Sequence, residues 1–120
     1  MRLDAEGILD LVLARLSDMK AEDTLTIDLR DKSTIGDYMV VSSGRSQRHV
    51  GSVADKVVED LHKAGVTARI EGVPHCDWVL IDAGDVIVHV FRPEVRAFYN
   101  LERMWMTGGP AERASRFART

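Results

Sequence analysis

The 120-residue chain has one cysteine, three prolines and no uninterrupted apolar run longer than about four residues. One cysteine excludes a disulfide framework and a cysteine-rich metal site, and such usage fits a reducing cytosol. Runs this short fall far below the ~20 residues that span a bilayer, and no basic-then-apolar signal segment opens the chain. Scarce proline, with 45% hydrophobic and 29% charged residues, belongs to a folded chain and not to a disordered one. Internal repeats and low-complexity stretches are missing too. A net charge of -3 weighs against free-standing nucleic-acid binding through phosphates. What remains is one intracellular domain, since domains of roughly 100–150 residues are the commonest size.

The charge is unevenly distributed. Residues 1–105 carry 13 basic and 18 acidic side chains, whereas residues 106–120 carry Arg113, Arg116 and Arg119 against Glu112. Gly108, Gly109 and Pro110 separate the two regions, a strong breaker signal. The expected organisation is a folded domain over 1–106 and a basic, flexible tail over 107–120.

Ile8, Leu9, Val12, Leu13, Leu16 and Met19 follow helical spacing and predict a helix over 4–20. Leu25, Ile27 and Leu29 alternate with polar residues as a strand does, and Tyr38-Met39-Val40-Val41 reads as a second, buried strand. Ser46 is a candidate N-cap for a helix whose stripe is Val50, Val53, Ala54, Val57, Val58 and Leu61, with Gly65 placed for a left-handed end. Val66–Ile70 predicts a third strand, so that strand, helix and strand form a crossover. Asp77–Asp82 and Asp85–Phe91 predict a hairpin around Ala83-Gly84. Pro93 opens a last helix with Val95, Phe98, Leu101 and Trp105 on its apolar side. The fold class is α/β: a single mixed β-sheet of about five strands with three helices packed on it.

The residues offer little catalytic chemistry. His49, His62, His75 and His89 contain no i, i+4 metal pair, and His75-Cys76 are sequence neighbours, which is a poor arrangement for a thiolate and its base. Ser42-Ser43-Gly44-Arg45-Ser46 precedes a helix and has an anion-loop reading, but it lacks the GxGxxG and GxxxxGK[ST] patterns, and a serine-capped turn is favoured. The hairpin is more informative. With a two-residue loop, Asp82 faces Asp85, Leu80 faces Ile87 and Trp78 faces His89, while Val79, Ile81, Val86 and Val88 make an apolar opposite face. An aromatic ringed by polar groups suits a protein interface; equally, Trp78 packs under the last helix and the aspartates solvate a turn. Tyr99 and Glu102, three apart beside the last apolar stripe, are surface candidates.

Asp28-Leu29-Arg30, Gly36-Asp37-Tyr38-Met39-Val40-Val41, Ser42 to Val50, Glu71-Gly72, Asp77 to Asp82, Gly84 to Phe91 and Tyr99 to Trp105 occur in order with plausible spacing. This ordered set resembles the Iojap-related ribosomal silencing factors over about residues 5–105. The resemblance implies a nucleotidyltransferase-like fold and a cytoplasmic translation repressor that is not an enzyme and uses no cofactor or metal. It implies docking on the large ribosomal subunit through ribosomal protein L fourteen, obstruction of small-subunit joining, and a part in large-subunit assembly. Carried onto this chain, the partner-binding residues are Asp77, Trp78, Asp82, Asp85, His89 and Phe91, with Tyr99 and Glu102 in second rank. Arg113, Arg116 and Arg119 are candidates for ribosomal RNA contact, and no membrane contact is expected. Val73-Pro74-His75-Cys76 departs from the family pattern just before Asp77. Two other readings stand beside this one: a small nucleotidyltransferase-like enzyme using Asp82, Asp85 and the Ser43-Gly44 loop, and a scaffold that self-associates as a homodimer through its sheet face.

Overall fold

Asp4 accepts the Gly7 amide at 2.8 Å and so caps α1 (Ala5–Asp18). From there a computed structural model describes residues 3–30, 36–72 and 76–94. The α1 stripe buries Ile8, Val12 and Leu16. It is followed by β1 (Glu22–Asp28) and β2 (Tyr38–Ser43), then by α2 (Gln47–Lys63), capped as expected by Ser46 and burying Val50, Val53, Ala54, Val57 and Leu61. The expected left-handed end is present: Gly65 has φ +83°, its amide donates to His62 and the Val66 amide to Leu61, the paired bonds of a Schellman cap. Three strands complete the described fold: β3 (Arg69–Glu71), β4 (Trp78–Asp82) and β5 (Val86–Phe91).

The five strands form one mixed sheet in the order β1-β2-β5-β4-β3. β2 and β5 are parallel, and the other three pairings are antiparallel. β3 therefore runs parallel to β2, and α2 is the crossover between them. The α/β class and the five strands agree with the expectation. Of the expected three helices, two are described in full; Pro93 and Glu94 are helical, and the rest of the third lies outside the described residues.

Both helices pack on one face, where Val40, Val79, Ile81, Val86, Val88 and Val90 meet the α1 and α2 stripes. Burying one such side chain fully is worth roughly 1.5–3 kcal/mol, so this layer is the main source of stability. An Arg15–Asp60 ion pair joins the two helices above it. The opposite face carries a second buried cluster of Ile27, Leu29, Met39, Val41 and Phe91, with Leu25 and Trp78 partly buried beside it.

The hairpin register differs from the expected one. Asp82 pairs with Ile87, Leu80 with His89 and Trp78 with Phe91. The two-residue loop is Gly84-Asp85 and not Ala83-Gly84: the Ala83 amide closes onto the Val86 carbonyl at 3.0 Å, and the Asp82 carboxylate accepts the Gly84 amide at 2.9 Å. A slip of two keeps every side chain on its own face. Asp82 and Asp85 nevertheless do not oppose each other, and the expected like-charge clash is absent.

Candidate partner-binding surface

Trp78 opens β4 on the face away from the helices and is half-buried. Its ring centroid lies 4.8 Å from that of Phe91 and 5.9 Å from that of His89, both on the neighbouring strand β5. The His89 and Phe91 ring centroids are 5.9 Å apart, with the ring planes nearly parallel at 14°. The indole Nε1–H donates to His89 Nδ1 at 3.0 Å. His89 is therefore the neutral tautomer protonated on Nε2, and burial holds its pKa down at about 3.

Two backbone features set where β4 begins. Gly72 has φ +89°, and a Cβ there would stand 2.2 Å from the Trp78 carbonyl oxygen, so only glycine fits. The Cys76 amide donates to the Gly72 carbonyl at 2.9 Å and closes the loop. The Cys76 thiol is pushed up by burial first, then by Asp55 and Asp77, which opposes the thiolate that nucleophilic chemistry needs. Asp77 is held by two side-chain donors: its carboxylate accepts from Arg92 Nε at 2.8 Å and from Gln47 Nε2 at 3.0 Å, tying the start of β4 to the end of β5 and to α2.

The remaining candidates separate by position. Asp82 closes β4, opposite Arg69 of β3, and with Arg69, Glu71 and Leu80 it lines an open concavity of about 200 Å³. Asp85 is exposed; its backbone carbonyl accepts the Asp37 and Tyr38 amides, leaving the carboxylate outside these bonds. His89 and Phe91, read from sequence as contact residues, are 1% and 0% exposed. They support Trp78 from beneath. Tyr99 and Glu102 lie outside the described residues.

The residues required by the enzymatic reading do not converge. Asp82 and Asp85 sit at the start of β5, and the Ser43-Gly44 loop sits at its end, where Ser43 pairs with Phe91. Five strand steps of ~3.3 Å separate them by roughly 17 Å. The loop amides are engaged internally: Gly44 donates to the Phe91 carbonyl at 2.8 Å, Arg45 to His49 Nδ1 at 2.9 Å, and His49 to the capping Ser46 hydroxyl at 3.1 Å. Among the described residues, no group of three or more His, Cys, Asp or Glu side chains is arranged to hold a metal ion. No described helix is long and apolar enough to cross a membrane.

Sequence reasoning missed Gly72, Gln47 and Arg92 as determinants of the site. Gly72 stood in the Glu71-Gly72 pair and was legible there as a positional constraint. Gln47 and Arg92 had no local signal, because their contact with Asp77 spans three elements.

Fold and site together define a small α/β protein that presents a supported aromatic on a sheet face and, among the described residues, no converging catalytic centre. The model of the family "Ribosomal silencing factor during starvation" matches residues 3–119, so the chain belongs to that family, whose members are ribosome-associated translation regulators. The ribosomal silencing factor RsfS of Zymomonas mobilis is 52% identical over 110 residues, covering 91% of this chain and 83% of that one. The crystal structure of a Chromobacterium violaceum protein superposes with a TM-score of 0.84 at 37% identity, covering 89% and 88% of the two chains. More distant is the chloroplastic protein Iojap of Zea mays, 28% identical over 96 residues, with 80% of this chain and 42% of that one covered.

Proposed function

We propose that this chain is a cytoplasmic, non-enzymatic repressor that binds the large ribosomal subunit through ribosomal protein L fourteen. Bound there, it blocks the small subunit sterically and also serves large-subunit assembly. The observation that carries the reading is Trp78, half-buried and held from beneath by His89 and Phe91. It lies on the same sheet face as Asp82 and Glu71. A fixed aromatic supplies affinity at little entropic cost. Carboxylates at Asp82 and Asp85 favour encounter with a basic protein. Silencing by occupancy needs no chemical step, in keeping with the separation of Asp82 and Asp85 from the Ser43-Gly44 loop.

Co-sedimentation with purified large subunits tests the reading. The native chain pellets with the subunits, while Trp78→Ala and Asp82→Lys stay in the supernatant, and native chain added before small subunits lowers the yield of joined ribosomes. Failure of the folded native chain to bind overturns the proposal.

The tail bears on the same site. We infer that Arg113, Arg116 and Arg119 meet ribosomal RNA phosphates; the family match runs through them to residue 119. Deleting 107–120 then lowers affinity and flattens its dependence on salt; unchanged values dispose of the contact. Light scattering at several concentrations tests whether two copies pair through the Trp78 face when no ribosome is present.

A further inference from the structure

We infer that His89 is a positioning residue for Trp78: by accepting the indole N–H it fixes the ring in one orientation, so that a partner meets the ring and not the N–H. This rests on the reading that Trp78 contacts the partner. His89 lies in the middle of the sheet, on β5 between Leu80 of β4 and Val41 of β2. It is 1% exposed. Burying an imidazole costs free energy unless its polar atoms are used, and a leucine would fill such a place without that cost. Among the described residues the hydrogen bond to the His89 ring is the 3.0 Å bond from Trp78. Trp78 and His89 are diagonal neighbours on adjacent strands, close enough for aromatic side chains to reach one another. Phe91, directly opposite Trp78, packs against the ring, and the bond to His89 fixes its rotation about that contact.

An indole has a single donor, and here it points inward. What Trp78, partly exposed, can present to a partner is then apolar ring and not N–H, suited to an aliphatic side chain or a cationic one over its face. A partner that needed a hydrogen bond from tryptophan would have to break an internal one first. The partner chemistry selected is a basic protein surface with aliphatic stems, consistent with the carboxylates on the same face.

The test compares His89→Gln, which keeps an acceptor, with His89→Leu, which does not; His89→Met replaces the leucine variant if that does not fold. On the free protein, hydrogen exchange of the Trp78 indole N–H is measured, its signal assigned by loss in Trp78→Phe. It quickens about three- to tenfold in the leucine variant and much less in the glutamine variant. Equal exchange in native and leucine chains overturns the positioning role, whether or not ribosomes are bound. On large subunits, His89→Leu weakens binding by about three- to tenfold in the native background and by less than about twofold in the Trp78→Phe background. Equal loss in both backgrounds, or equal loss for glutamine and leucine, overturns it. Failure of the folded native chain to bind removes the ribosomal reading alone, and the exchange experiment still decides whether His89 holds the indole.

Discussion

Along β5, Val86, Val88 and Val90 turn toward the helices, while Ile87, His89 and Phe91 turn away, and all six are buried. The two faces are thus equal in burial and different in kind. The helix side is a layer of valines, alanine and leucine whose contribution is area and volume, with no direction to its contacts. The other side combines an aliphatic cluster with a tryptophan, a buried histidine and, at the β3 edge, Arg69, Glu71 and Asp82 in cross-strand positions. Burial by itself does not mark a residue as structural filling. Directional contacts do that sorting, and between the side chains of β4 and β5 the one from Trp78 to His89 lies on the face away from the helices.

The largest effect tests the helix side. Val88→Asp places an unpaired carboxylate in a layer of apolar side chains, and such a group costs more than about 4 kcal/mol. That approaches the whole stability of a typical domain. Circular dichroism should find no cooperative thermal transition for this variant. A cooperative melt near the native temperature would mean that the valine layer is less sealed than its burial states.

Two glycines sharpen the contrast at the next level. Both have positive φ, +83° at Gly65 and +89° at Gly72. A Cβ at Gly65 meets nothing within 4 Å, whereas one at Gly72 runs into the Trp78 carbonyl. Gly65→Ala pays only for the left-handed backbone, about 1 kcal/mol. Gly72→Ala adds a displaced strand start and costs about 2–3 kcal/mol. Denaturant melts should order them so, and only Gly72→Ala should also weaken ribosome binding, because it moves Trp78.

The buried histidine gives the mixed face a pH dependence that the valine face cannot have. His89 is neutral in the folded chain, with a pKa of about 3, against about 6.5 when unfolded. The unfolded state therefore takes up the proton first. Stability is complete above about pH 6.5 and falls as pH drops toward 3, by up to ~1.4 kcal/mol per pH unit. Asp60, held low chiefly by its hydrogen bond to Arg15, loses its contribution only as pH falls below about 4. Chemical melts between pH 6.5 and 5 thus isolate His89, and His89→Leu should flatten that slope. An unchanged slope in the variant would assign it elsewhere.

How much of this was legible in the sequence follows from the range of the forces involved. Period and caps are local, so both helices, the Ser46 cap and the Gly65 end were readable. The α1 end was not: Lys20 takes φ +60° where a glycine would have advertised the turn. Val66, read as strand, is instead drawn into the cap of α2, and β3 starts at Arg69. The hairpin register was misjudged by two because alternation is blind to a slip of two. Face membership survived that error, and Trp78 and His89 were correctly grouped on one side. Whether such residues stand at the surface or beneath it depends on neighbours distant in sequence, and His89 and Phe91, both read as contact residues, proved buried.

The smallest effect on stability carries the final test of the comparison. Asp85 is exposed, and its backbone carbonyl, not its carboxylate, holds the Asp37 and Tyr38 amides. Asp85→Lys leaves those bonds intact and should shift stability by less than about 0.5 kcal/mol. It moves the net charge from -3 to -1 and reverses the field a basic partner meets. Association with large subunits should slow, most clearly at low salt, with dissociation little changed. A variant that melts as the native chain does yet associates more slowly separates recognition from stability on this face. Equal association rates at every salt concentration would remove Asp85 from the contact set and leave Trp78 and Asp82 to carry it.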